Sequence, residues 1–164
     1  MASPRWLTDE EQQFWRLLIR SDNAFHKSIN DTLTEKHGLS STEFAVLANL
    51  SEAEPDTIRL RDICTRLSWD RSRASHQISR MVKRGLITKH KCPGDLRGVV
   101  LNITYEGQRS VEAAAPDHVE NVRNLVFDHM SEEEMVVLRK FFTHMMDAAG
   151  YEGPTDYSDV GEEN

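Results

Sequence analysis

Side chains suited to binding nucleic acid are concentrated between Ser68 and Thr104. When residues 72–83 are drawn as a helix, hydroxyl and cationic side chains collect on one face, namely Ser72, Arg73, Ser75, His76, Ser79, Arg80 and Lys83. Short hydroxyls and cations are the groups that reach the phosphates and base edges of double-stranded DNA. The chemistry that this pattern predicts is therefore recognition rather than catalysis.

An amphipathic helix must hold these side chains. Apolar residues recur at helical spacing on the opposite face, at Ala74, Ile78, Met81 and Val82. Ser68 or Asp70 can accept hydrogen bonds as the N-cap, and Gly85 is placed to end the helix.

The apolar period then changes to that of strands. Leu86 to Lys91 reads as one strand, Pro93-Gly94-Asp95 as a turn and Val99 to Ile103 as the returning strand. A cationic helix followed by a basic hairpin is the helix-and-wing arrangement of a DNA reader. The alternative is a solvated helix beside an ordinary hairpin. It is disfavoured because the charge, the helix cap and the hairpin all fit a DNA reader.

Charge is distributed unevenly along the chain. Residues 59–97 contain eleven Lys/Arg and three Asp/Glu, whereas the whole chain of 164 residues has a net charge of −7. One cationic patch on an acidic body predicts binding of a polyanion in one orientation.

The ordered set of motifs resembles the MarR family of transcriptional regulators. The set comprises DRSRASHQISRMVKRGLITK, Asp95 and Arg97 in the hairpin, and Leu101, Ile103, Thr104 and Gly107 after it. The resemblance covers about residues 8–149. It implies a mainly α fold with a small β-wing, a homodimeric winged helix-turn-helix protein, and usually a repressor that leaves a pseudo-palindromic operator on sensing a chemical signal. Lys89 and Arg97 would join the DNA contacts, with Arg97 in a minor groove and Asp95 bracing the wing.

One domain is expected over residues 1–149. Capping boxes begin at Thr8, Ser40 and Ser131, and a long apolar stripe runs from Phe14 to Leu33 before Gly38 ends the first helix. We expect dimerisation helices at about residues 8–37 and 104–149 and a DNA-binding lobe at about 40–103. Residues 150–164, acidic and without a cation, predict a disordered tail.

Finer expectations concern four segments. We predict a short strand at Ile58 to Leu60, a first helix of the helix-turn-helix at Asp62 to Leu67, a helix capped by Thr104, and a kink or break at Pro116. Gly107 costs helix stability of roughly 1 kcal/mol against Ala, so it is expected to permit a close approach.

Enzymatic motifs are absent from the sequence. It contains no Gly-rich phosphate loop, no H-E-x-x-H, no G-x-S-x-G and no C-x-x-C. The seven histidines are scattered, so no catalytic residue, metal site or cofactor is predicted. No apolar run reaches the length of a membrane span and no signal peptide is evident, so we expect a cytoplasmic protein without a membrane partner.

Two cysteines lie within the basic stretch. Cys92 follows Lys89-His90-Lys91, where cations favour the reactive thiolate, and Cys64 lies in the first helix of the predicted reading head. This placement resembles the oxidant-sensing actinobacterial members of the MarR family, RosR-like regulators in particular. Release by an oxidant is our first hypothesis, although a buried structural role for Cys64 and a plain wing position for Cys92 stay open.

Other signals and functions also stay open. A small aromatic acid or phenol is the other common family signal, and Trp15, Arg16 and Arg20 are candidates to line its pocket. A protein of a different class, a winged-helix module that contacts proteins and has no DNA target, is the second alternative.

Overall fold

A computed structural model describes residues 3–53, 57–92 and 95–151, with the backbone alone for residues 95–97. The helices are α1 (Asp9–His37), α2 (Ser41–Ser51), α3 (Leu60–Arg66), α4 (Arg71–Lys83), α5 (Tyr105–Leu125) and α6 (Glu132–Ala148), with a 3₁₀ turn at Phe127–His129 between the last two. The strands are β1 (Thr57–Arg59), β2 (Ile87–Cys92) and β3 (Asp95–Ile103). The mainly α fold with a small β-wing is confirmed.

Local capping sets most of the helix ends. Capping boxes at Thr8, Ser40 and Ser131 start α1, α2 and α6, as predicted. In each box the N-cap hydroxyl accepts from a backbone N–H that no helical carbonyl reaches. Gly38 ends α1 in the left-handed conformation with φ of 63°, which a residue without a Cβ adopts at little cost.

The core lies where α2, α3, α4 and β3 meet the second half of α1. Its fully buried side chains include Leu33, Leu47, Leu50, Ile63, Ile78, Met81 and Leu101. Each comes from a position that the apolar period of its own element assigns to the inner face. The predicted DNA-binding lobe, at about residues 40–103, and the second half of α1 therefore share one hydrophobic core.

The sheet is antiparallel with the strand order β1-β3-β2. Ile58 faces Leu101 across the β1–β3 pair, and Ile87 faces Ile103 across the β2–β3 pair. The register of β2 and β3 shifts between Lys91 and Cys92. The long β3 thus joins the hairpin to the helical part of the reading head.

Several predicted boundaries were wrong. α3 begins at Leu60 rather than Asp62, and Leu60 belongs to this helix rather than to β1. The N-cap Arg59 makes no side-chain cap hydrogen bond, so no sequence signal marked this start. β3 begins at Asp95, which the sequence assigned to a turn; Pro93 and Gly94 of that turn lie outside the described residues.

The break expected at Pro116 is not observed, because α5 is continuous around it. The residues that follow are tied to α1: Asp117 accepts from Lys36 at 2.6 Å, and the Asn121 amide donates to Thr32 Oγ1 at 2.8 Å. Packing on α1 therefore holds the helix together where proline removes a backbone hydrogen bond.

α6 is the most exposed helix and has no buried residue. Phe141, Phe142 and Met145 are each at least 40% exposed, as are Phe14 and Trp15 on α1. Large exposed apolar side chains clustered on two helices are typical of a protein interaction surface. In the described part of the chain, no helix is both long and apolar enough to cross a membrane. Of the disordered tail predicted for residues 150–164, the part after Tyr151 lies outside the described residues.

Candidate nucleic-acid interface

The outer face of α4 carries the side chains that the sequence singled out. Ser72, Arg73, Ser75, His76, Ser79, Arg80 and Lys83 are all exposed. Ala74, Ile78 and Met81 on the inner face are at most 1% exposed and anchor the helix in the core. The structure therefore brings the polar set together on one rigid, outward face.

Gln77 is a buried residue that the apolar pattern did not reveal. It is 7% exposed, and its Nε2 has no hydrogen-bond partner among the described residues. A buried amide without a partner is costly. Helical phase is the signal that could have found Gln77, because it lies on the same face of α4 as Ala74, Ile78 and Met81.

Asp70, rather than Ser68, caps α4. Its carboxylate accepts from the backbone N–H of Arg73 at 2.9 Å. Ser68 instead occupies the left-handed region with φ of 51°, within the turn between α3 and α4. Trp69 completes the turn, since its N–H donates to the Cys64 carbonyl at 2.8 Å. The guanidinium of Arg73 lies 5.2 Å above the Trp69 ring, a cation–π contact that limits its freedom at the start of the helix.

Lys89 of β2 is exposed; it lies opposite Leu101 of β3 and lines a cavity together with Ser75 and Ile78 of α4. The backbone of Asp95 and Arg97 belongs to β3, while their side chains lie outside the described part of the structure. The predicted contacts of Arg97 and the bracing role of Asp95 therefore stay predictions.

A cavity of about 260 Å³ lies between β1, α3, β3 and the start of α4. Arg59, Arg61 and Arg71 line it together with Cys64, and Leu60, Gly98 and Val99 complete its walls. These arginines come from three different elements. The sequence therefore showed only that they are charged, and not that they line the same cavity. They extend the cationic surface beyond α4.

The two cysteines differ in their surroundings. Both are half-buried and neither is in a disulfide. Burial raises the pKa of the Cys64 thiol, and the nearby Arg71 offsets this only in part. Because the thiolate is the nucleophile, the environment of Cys64 disfavours reaction. Cys92 ends β2, opposite Asp95 of β3.

The three residues proposed for a ligand pocket are not gathered in one. Trp15 lines an open groove of about 520 Å³ between α1 and α6, whose other lining residues are Leu7, Glu10, Glu11, Phe14, Leu18, Phe141 and Met145. Arg16 and Arg20 are exposed and are not among its lining residues. Within the described ranges, no group of three or more His, Cys, Asp or Glu side chains could hold a metal ion.

Comparison with known proteins agrees with this geometry. The model of the MarR family matches residues 37–98, from the end of α1 into the wing. The regulator PecS from Dickeya dadantii is 31% identical over 110 residues, which are 66% of this chain and 66% of PecS.

Two solved structures from Streptomyces coelicolor cover nearly the whole fold. AbsC, a MarR family transcriptional regulator, is 32% identical with a TM-score of 0.84, and the match covers 89% of this chain and 98% of AbsC. Sco3205, solved in complex with DNA, is 30% identical with a TM-score of 0.85, and the match covers 95% of this chain and 96% of Sco3205. These relatives are transcriptional regulators and not enzymes, in agreement with the absence of catalytic motifs from the sequence. An exposed polar helix, a three-stranded wing and similarity along almost its full length together place this chain in the MarR family of winged helix-turn-helix transcriptional regulators.

Proposed function

We propose that the protein is a homodimeric repressor that binds a pseudo-palindromic operator in double-stranded DNA. The observation that carries this proposal is the exposed hydroxyl and cationic face of α4, whose opposite face is fixed in the core. A helix of this kind fits the major groove, where its side chains read base edges. The DNA complex of Sco3205 supports the same use of the fold.

Two copies are needed to read a palindrome. The apolar surfaces of α1 and α6, described above, are suited to cover one another across a two-fold axis. Two copies of α4 would then face successive major grooves, and each wing would flank its half-site. Lys89 would contact phosphate, Arg97 would enter the minor groove and Asp95 would hold the wing turn.

Salt dependence separates this function from that of a module that contacts only proteins. A DNA-binding dimer displaces counterions from phosphates, so its affinity for promoter DNA falls steeply as salt rises. We expect that slope in titrations of the wild-type protein with the DNA upstream of its own gene, where an inverted repeat would also supply the target. Binding that is absent at low salt would favour the protein-interaction alternative.

Substitution of the α4 face tests which side chains read sequence. Alanine at Ser72, Arg73 or His76 should cost roughly 1–3 kcal/mol at the operator and should relax the preference over random DNA. The ratio of operator to random-duplex affinity is the measurement, because loss of a phosphate contact lowers both affinities alike. All three variants retaining the wild-type ratio would contradict this placement of the helix.

The release signal that we favour is an oxidant acting on cysteine. Cys92 follows Lys89, His90 and Lys91 in the wing, so its oxidation would add bulk where the proposed DNA contacts lie. The raised pKa of Cys64 makes this thiol the weaker candidate. Release by a small aromatic acid remains the alternative.

Peroxide should release the wild-type protein from its operator, and dithiothreitol should restore binding. The thiolate of Cys92 would attack peroxide to give a sulfenic acid and water, and the reductant would reverse the oxidation. Gel shifts should show that Cys92→Ser resists peroxide while Cys64→Ser remains sensitive. Binding that persists in peroxide but is lost with salicylate would assign the signal to a ligand instead.

A further inference from the structure

We infer that Arg84 is a positioning residue that fixes the angle between α4 and α1, and thereby the half-site spacing that the dimer accepts. The inference rests on the proposed binding of a two-fold operator. It assigns a specific role to a cation that the charge count recorded only as part of the basic patch.

Arg84 lies directly after α4 and joins it to the corner between α1 and α2. Its Nη1 lies 2.7 Å from both carboxylate oxygens of Glu43, at the start of α2. Its Nη2 donates to the carbonyl of Gly38, at the end of α1, at 2.9 Å. One guanidinium thus binds the ends of two helices at once.

The acceptor side of this contact is rigid. Glu43 is 3% exposed, and its carboxylate also accepts from the Ser40 backbone at 2.9 Å. Burial alone would raise the pKa of Glu43, but the hydrogen bonds from Ser40 and Arg84 outweigh it and hold the pKa below its usual value. Asn30 of α1 accepts from the Ser41 backbone at 3.1 Å, so the corner itself is fastened to the long helix.

The same end of α4 is fixed from a second side. Thr104 Oγ1 lies 2.7 Å from the Gly85 carbonyl and 2.9 Å from that of Leu86. Thr104 caps α5, which packs along α1. The segment 84–86 is therefore the joint through which the helices of the proposed dimer hold the reading helix.

Small movements at this joint become large at the DNA. α4 has 13 residues, so its far end lies about 20 Å away, and a tilt of 10° moves that end by about 3 Å. Base contacts depend on hydrogen bonds whose lengths vary by only about 0.5 Å. By preventing such a tilt, the guanidinium of Arg84 allows both copies of α4 to bind their half-sites only when the two half-sites have the right spacing.

The experiment compares operators that differ in half-site spacing. The wild-type protein first selects its best duplex from a random library, and one or two base pairs are then inserted between the half-sites. Each inserted base pair rotates one half-site by about 34° about the DNA axis. We expect the wild type to lose about tenfold or more in affinity for each insertion.

Arg84→Met keeps an unbranched apolar stem and removes the guanidinium that binds Glu43 and Gly38, so the spacing penalty should fall below about threefold, with weaker binding to the selected duplex. This variant leaves the buried carboxylate of Glu43 without its cation, which could unfold the protein. The double variant Glu43→Gln/Arg84→Met removes that charge and should stay folded, because glutamine retains the capping box. Lys27→Met is the matched control: it removes an equal charge from α1 but only an ion pair to Asp31 within the same helix, and it should keep the full penalty.

The outcomes separate the two proposals. A folded double variant with the wild-type spacing penalty would overturn the role of Arg84. Failure of the wild type to enrich any inverted repeat would instead overturn operator binding, and the inference with it.

Discussion

Phe141→Glu is expected to convert the protein into a folded monomer that no longer binds its operator. Phe141 is 40% exposed on α6, and it lines the groove against Phe14 and Trp15 of α1. In the protomer a carboxylate there would face water, so folding should be nearly unaffected. In the dimer the same carboxylate would be buried without a partner, which costs far more than an interface of this kind gains from one side chain.

The effect on DNA binding should be large because two half-sites act together. Linking two reading heads raises affinity by about 10²–10⁴ over one head alone, and a monomer loses that gain. Sedimentation velocity gives the mass and gel shifts give the operator affinity. Thr143→Glu adds the same charge on the opposite side of α6 and is the control. A dimeric Phe141→Glu protein would contradict the proposed interface.

Gly107→Ala is expected to destabilise the protein, although helix propensity alone predicts a gain of about 1 kcal/mol for alanine. A Cβ on Gly107 would lie 2.1 Å from the Leu86 carbonyl oxygen, with Leu47 and Ile103 side chains at 3.1 and 3.0 Å. A backbone oxygen that also accepts from Thr104 cannot move away cheaply. The clash therefore decides the sign.

We expect the free energy of unfolding to fall by about 2–4 kcal/mol, at the upper end of overpacking effects. Urea denaturation of the purified protein measures it. Glu106→Ala, at the exposed neighbouring position, should change stability by no more than about 0.5 kcal/mol. Equal or greater stability of Gly107→Ala would show that α5 does not approach Leu86 this closely.

The sequence by itself determined the features that local interactions control. The capping boxes at Thr8, Ser40 and Ser131 each join residues three positions apart, and such pairs form wherever a helix starts. The inner face of α4 followed from the helical period, because a side chain's direction depends only on its position along its own helix. Gly107 was also recognised, since an isolated glycine in a helical pattern indicates a packing constraint.

Only the tertiary structure decided the features that depend on distant residues. Arg84 is 41 positions from Glu43 and 46 from Gly38, and no local pattern encodes that contact. The start of α3 has no side-chain cap hydrogen bond. The break expected at Pro116 is countered by hydrogen bonds between α5 and α1, such as that of Asn121 with Thr32, which is 89 positions away in the sequence. Periodicity and capping depend on residues close together in the sequence. The contact of Arg84 with Glu43 and Gly38, the arginine-lined cavity and the continuity of α5 depend on separate elements, which burial of a shared core brings into contact.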